Sequence, residues 1–169
     1  MNTILIGNFI SLLGCILMVI SGLIKEKKKI LLVQSFQVAL LGIANLVLGA
    51  FSGFIAGIVS LVRNLVFTRL ESSTKLKLLF IFIQIVLSIN PNGMTWVDWM
   101  PVIACVSFTW YIDTPSEITL KKIFIMNLTC WAIYDLTYTN YVSFTFDLFS
   151  IISNFIGILM IKKTAKEKK

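Results

Sequence analysis

Residues 53–70 read Gly-Phe-Ile-Ala-Gly-Ile-Val-Ser-Leu-Val-Arg-Asn-Leu-Val-Phe-Thr-Arg-Leu. The run is apolar enough to lie in a bilayer, yet Arg63 and Asn64 fall near its middle. A charge at that depth costs at least ~2.5–3.5 kcal/mol on insertion scales, so it faces protein or water and needs a partner. The run also has an echo. Ser60-Leu-Val-Arg-Asn64 reappears as Ser150-Ile-Ile-Ser-Asn154 inside a second apolar segment. Two copies of one small helical unit, each placing an Asn at matching depth, are the expected plan of the chain.

Composition sets the class. Of 169 residues, 57% are hydrophobic and 14% charged, and the mean hydropathy is +0.90. A soluble domain of this size could not hide so much apolar surface, so the chain is expected to be an integral membrane protein. A span needs about 20 apolar residues, which leaves room for about seven spans and little else. The segments are Thr3–Ile24, Ile30–Ala50, Gly53–Phe67, Leu78–Asn90, Trp96–Ile112, Leu120–Thr139 and Tyr141–Ile161. Phe51-Ser52 and Pro91-Asn-Gly93 read as tight turns, and the short fourth segment borrows the stems of its flanking lysines.

The formal net charge of +7 is topology signal rather than a nucleic-acid surface. Of 15 Lys and Arg residues, all but Arg63 lie between spans, at a span edge or after the last span, at residues 25–29, 69–77, 121–122 and 162–169. These are alternate loops, and the intervening ones carry no basic residue. The pattern predicts an odd span count, an outside N-terminus and a cytoplasmic C-terminus. Trp96 and Trp99 at one edge of the fifth span, with Trp110 and Tyr111 at the other, read as interfacial anchors. Met-Asn-Thr offers no basic leader and no small-residue cleavage site follows, so the first segment reads as a retained span.

Lys28-Lys-Ile30 opens the second span and Lys121-Lys-Ile123 the sixth. The intervals to Asn64 and Asn154 are 36 and 33 residues, a difference that fits a loop. The expected fold is therefore an all-α membrane protein with seven transmembrane helices. Two parallel three-helix repeats, residues 1–70 and 95–169, are joined by a connector at 71–94 that holds the fourth helix, a 3+1+3 plan. Small residues at Gly49, Gly53 and Gly57, with Ser52, Ala56 and Ser60 beside them, place the third span at the centre of its bundle.

Chemistry-bearing residues converge on a few faces. Ser143, Asp147, Ser150, Asn154 and Gly157 share one face of the seventh segment, and a lipid-facing stripe of that kind would be expensive. The sixth offers Asn127, Trp131, Tyr134 and Tyr138, with Asp135 beside them. The second offers Gln34, Gln37 and Asn45, and the first Asn8, Ser11 and Cys15. Amides, hydroxyls and a few aromatics suit a small polar solute. For Arg63 three readings stand: an ion pair with Asp135 or Asp147, coupling to substrate or protons, or a guanidinium that snorkels to the headgroups. The chain has no His. Cys15, Cys105 and Cys130 lie in separate segments and read as small core residues. No metal-ligand spacing, nucleophile–base arrangement or phosphate-cradling loop is visible, so neither an enzyme nor a cofactor is expected.

With Arg63-Asn-Leu-Val-Phe67 ending its third span, a Gln-bearing second span and lysine-flanked short spans, the chain resembles the YgjV-type bacterial inner-membrane proteins. That family is grouped with the SWEET and PQ-loop transporters, which share the 3+1+3 plan. The resemblance implies a bacterial inner-membrane location and a SWEET-like transporter of a sugar or other small polar metabolite. It further implies that Asn64 and Asn154 line the substrate pocket, with Trp131 as a pocket aromatic. Tyr134, Ser150 and Asp147 join them as candidate substrate contacts, and Arg63, Asp135 and Asp147 as the ion-pair or coupling group. Pro101 stands as the remaining hinge proline; Asn8 occupies the corresponding place in the first span, and no Pro-Gln dipeptide is present. The vitamin transporters of the PnuC type are a second analogy. The rival class is a non-transporting membrane protein, a regulator or assembly partner. The expected partners are membrane lipid and the solute, with no nucleic acid, and the pattern leaves room for a homo-oligomer. A transporter requires a polar cavity between the halves; a regulator is expected to be filled and dry.

Overall fold

Apolar segments bounded by lysines and turn residues fold as helices, because in lipid a helix satisfies its own backbone hydrogen bonds. A computed structural model describes residues 2–23, 26–89 and 93–167. Among them are seven α-helices: α1 Asn2–Leu23, α2 Lys27–Val47, α3 Phe51–Arg69, α4 Thr74–Ser88, α5 Trp99–Tyr111, α6 Glu117–Thr137 and α7 Tyr141–Glu167. A single 3-10 turn, Trp96–Asp98, leads into α5. Ile24, Lys25, Asn90, Pro91, Asn92, Lys168 and Lys169, which the sequence assigned to span ends, the turn after the fourth span and the tail, lie outside the described residues. Gly93 is described and has a φ of +100°.

Among the described residues four helices are long and apolar enough to cross a membrane, over Asn2–Ser21, Lys29–Val47, Phe51–Arg69 and Tyr141–Lys163. α4 and α5, with 15 and 13 residues, are shorter. At a rise of about 1.5 Å per residue they reach only about 20–22 Å.

The helix neighbours close a ring. α1 packs on α2, α2 on α3, α3 on α5, α5 on α6, α6 on α7, and α7 returns to α1. α4 stands outside it, against α3 and α5. At one end of the ring, here the basic end, Lys77 at the start of α4 donates to the Trp110 carbonyl at 3.1 Å and to Asp113. This caps the otherwise unsatisfied C-terminus of α5. The Lys77 ammonium holds the Asp113 carboxyl below its ordinary value, against a smaller opposing effect of burial. Outward faces are strongly apolar, with Phe9, Phe36, Phe82 and Phe149 all exposed, as lipid contact requires.

The turn into α3 differs from the expected one. It is Leu48–Ala50, and Phe51 and Ser52 already belong to α3. Gly49 is therefore a turn residue with φ +76°, not part of a helical glycine ladder. Gly57 does serve close packing: a Cβ there would stand 3.0 Å from the Gly42 Cα and 3.1 Å from the Val38 carbonyl.

The α2–α3 and α6–α7 turns share one geometry. Ala50 N–H donates to the Asn45 carbonyl at 2.7 Å and Asn140 N–H to the Asp135 carbonyl at 2.8 Å. Gly49 and Thr139 both take a positive φ, +76° and +59°, the left-handed residue that ends many helices. The corresponding residues are 90 apart, as are the starts of α2 and α6 and of α3 and α7. Lys28 and Lys121 are 93 apart. The two lysine pairs therefore do not share a register, and the three-residue difference is not a loop.

Candidate functional site

The ring encloses a cavity of about 760 Å³, lined from α1, α2, α3, α5, α6 and α7 and by no residue of α4. Most of the candidate residues meet there. Asn64, Asn154, Trp131, Ser150, Asp147, Asp135 and Arg63 all line it, as do Gln34, Gln37, Asn45 and Asn127. Leu31, Val38, Leu41, Phe108, Phe124 and Leu128 supply apolar wall between these polar groups. Many lining residues recur at the 90-residue interval, among them Gln37 with Asn127, Asn45 with Asp135, Ser60 with Ser150, and Asn64 with Asn154.

Arg63 is 4% exposed. Its hydrogen bonds do not go to Asp135 or Asp147. Nε and Nη2 donate to Asn64 Oδ1 at 3.2 and 3.0 Å, and Nη1 donates to Thr109 Oγ1 at 2.9 Å. The guanidinium lies over the Phe108 ring, 4.9 Å from its centroid, a geometry that attracts a cation. Among the described residues the ion pairs are Lys29–Glu26 and Lys77–Asp113. Arg63 is thus held by a hydroxyl, an amide oxygen and a π face. Thr109 and Phe108 carried no signal in the sequence; a threonine and a phenylalanine in an apolar helix look like ordinary packing.

The arrangement orients both asparagines. Arg63 engages the Asn64 oxygen, so the NH₂ group is the part of that amide left uncommitted. Asn154 Nδ2 donates to the Ser150 carbonyl at 2.8 Å, which leaves its oxygen. Asn64 is thus left with donors alone, and Asn154 with an acceptor and one N–H.

Two candidates lie elsewhere. Tyr134 is fully buried and does not line the cavity. Its hydroxyl accepts from Gly53 N–H at 2.7 Å and shares a hydrogen bond with Ser52 Oγ at 3.0 Å, and its ring packs edge-on against Trp131 and tilted against Tyr138. A Cβ at Gly53 would stand 2.6 Å from that ring. Pro101 is buried in the first turn of α5, where a proline removes no helix hydrogen bond.

Tyr134 belongs to the seal at the end opposite the basic one. Ser52 Oγ and Tyr138 Oη donate to Asp98 Oδ1, each at 2.9 Å, while Thr95 engages Asp98 Oδ2. Nearby, Asn8 Nδ2 donates to the Thr139 carbonyl and Asn8 Oδ1 accepts from Val142 N–H, both at 2.9 Å. At the basic end the lining instead reaches the α5–α6 loop, at Asp113 and Thr114. The cavity is sealed at one end and runs out to a loop at the other.

No curated protein and no solved structure matches the chain. A family model described as a bacterial inner membrane protein, Imp-YgjV, matches residues 5–165, nearly the whole length, and the chain belongs to that family.

Proposed function

We propose that this inner-membrane protein is a SWEET-like transporter that carries a small polar solute, a sugar or a metabolite of similar size, through the central cavity. The observation that carries the reading is that Asn64 and Asn154, 90 residues apart, line one cavity and keep hydrogen-bonding groups that the protein does not use. A volume of about 760 Å³ lies in the range of small-molecule sites. Apolar and aromatic walls at Trp131, Phe108 and Phe124 suit the faces of a sugar ring, and the amides suit its hydroxyls. A regulator or assembly partner has no need of such an interior. The side chains around the cavity are mostly amides, hydroxyls and apolar wall, groups that hold and orient a solute, and we read the protein as a carrier.

In this reading all seven helices cross the membrane as two parallel three-helix repeats joined by α4. The shared turn geometry, the common 90-residue interval and the position of α4 outside the ring support that plan. The positive-inside pattern puts the basic end in the cytoplasm and the N-terminus outside. The structure would then be the inward-facing state, with the Asp98–Tyr138 and Asn8 contacts closing the outer side. A swing at the junction of the 3-10 turn with α5, next to Pro101, would open it.

The test is a thermal-shift screen of the purified protein against sugars and polar metabolites, followed by uptake in proteoliposomes. Asn64→Ala and Asn154→Ala should abolish binding of the solute found while leaving the melting temperature nearly intact. Undiminished binding in both variants would remove the pocket assignment.

A further inference from the structure

Beside the sealed end of the cavity, where Asp135 and Asp147 line it, lies a set of buried oxygen groups with few partners. Asp135 of α6 and Asp147 of α7 are 4% and 7% exposed. Among the described residues no Lys or Arg bridges to either. Asn140 Nδ2 donates to Asp135 Oδ1 at 3.3 Å, and the Ser143 hydroxyl is within hydrogen-bonding reach of the same carboxyl. Three further buried oxygens have no hydrogen-bond partner: Asp147 Oδ2, Asn140 Oδ1 and Ser11 Oγ.

Ser11 is an independent pointer, since it comes from α1 and is 0% exposed. Its neighbours on the helix face aim it. Asn8, three residues before, bonds to Thr139 and Val142, and Cys15, one turn on, stands 3.9 Å from Ser143 Oγ. Residues three and four apart share a helix face, so Ser11 is turned onto the same stretch, residues 139–143, that carries Asn140 and Ser143.

The frame of the fold does not demand these groups. At the 90-residue interval, Asn45, Gly53 and Gly57 stand where Asp135, Ser143 and Asp147 stand in the second half. The two glycines are filled by close packing, Gly53 against Tyr134 and Gly57 against Gly42. The second half places a hydroxyl and a carboxylate in the same positions.

A buried carboxylate without a countercharge is costly, and so is each unpartnered oxygen. One small cation answers all of them. The available donors are carboxylate, amide and hydroxyl oxygens, the ligands of hard ions. Among the described residues no three His, Cys, Asp or Glu side chains converge, whereas calcium and transition metals draw on richer sets. We propose that Asp135, Asp147, Asn140 and Ser11 hold a sodium-sized monovalent cation at the sealed end of the cavity. As the ion that couples to solute movement, it rests on the transporter reading above; as a binding site it is tested without any solute.

The experiment is thermal unfolding of the purified full-length protein in detergent, with sodium chloride titrated against choline chloride at constant ionic strength. Potassium and calcium are run in parallel. A saturable rise in melting temperature is expected with sodium, smaller with potassium and absent with choline, because an ion bound only by the folded state stabilises it by mass action. Asp147→Asn should abolish the rise. Ser11→Ala, which removes one neutral ligand and carries the test should Asp147→Asn fail to fold, should move its midpoint to at least tenfold higher sodium. Indifference to sodium, a response to pH alone, a larger response to calcium, or a sodium response unchanged in both variants would each overturn the site. Asn64→Ala separates the two proposals. It should lose the solute and keep the sodium response, so failure of the solute pocket leaves the ion site standing.

Discussion

Arg63 grips the oxygen of its own neighbour, donating to Asn64 Oδ1 through both Nε and Nη2 at 3.2 and 3.0 Å. A charge-assisted fork of this kind fixes which way an amide faces. On the proposed reading Arg63 is a positioning residue for the Asn64 amide. Arg63→Leu and Arg63→Lys should both weaken solute binding tenfold or more, since a lysine cannot form the fork. Double-mutant cycles in thermal or denaturant unfolding should give a coupling with Thr109 of about 0.5–3 kcal/mol. With Asp147 or Asp135 the effects should add to within about 0.5 kcal/mol, because no contact is shared. Strong coupling with either aspartate would restore the ion-pair reading.

Tyr134 is expected to hold the seal rather than touch the solute. Tyr134→Phe keeps the ring and removes the acceptor of the Gly53 N–H, a first-turn donor of α3 with no helical partner. Leaving a buried donor unmade costs about 1–3 kcal/mol, which should appear as a lower melting temperature. Solute affinity, measured by titration on the fraction that stays folded, should be nearly unchanged. Loss of binding without loss of stability would return Tyr134 to the solute contacts.

Gly57→Leu should destabilise by more than Gly93→Ala, although Gly93 has a positive φ. A side chain at 57 meets backbone, the Gly42 Cα and Val38 carbonyl, which cannot move aside without parting α2 from α3. Overpacking of that kind costs about 1–3 kcal/mol. A Cβ at 93 meets nothing within 4 Å and adds only backbone strain in a loop. Equal losses of melting temperature would mean that the α2–α3 contact is loose.

The Lys77–Asp113 contact predicts a definite acid dependence. Lys77 holds the folded Asp113 carboxyl below its ordinary 3.8. A depressed folded value contributes stability above the unfolded value and loses it as pH falls through the folded one. The gap in melting temperature between wild type and Asp113→Asn should thus be full near neutral pH. It should begin to close below pH 3.8 and vanish at more acid pH. A gap that does not change with pH would mean that the contact adds nothing.

Topology is tested by fusion. A reporter active only in the cytoplasm, joined after Lys169, should be active, and one joined before Met1 silent. The reverse, with both fusions present in the membrane fraction, would overturn the orientation.

Much of this protein is written in local patterns. Runs of apolar residues broken by lysines determine that it is helical and belongs in a membrane, because burial and backbone satisfaction act over a single segment. The Asn64 and Asn154 echo and the polar face of α7 likewise show in the spacing. What the sequence could not decide was which polar group faces which. Arg63 takes Asn64, Thr109 and Phe108 in place of an aspartate because α5 packs beside α3, while Asp135 and Asp147 gather with Asn140, Ser143 and the α1 residues Ser11 and Cys15. Tyr134 left the cavity because Gly53 has no side chain and lets its ring close onto α3. Gly49 became a turn and not a ladder rung because α2 ends at Val47. Such choices depend on which helices are neighbours and at what distance, and only the closed ring of six fixed those.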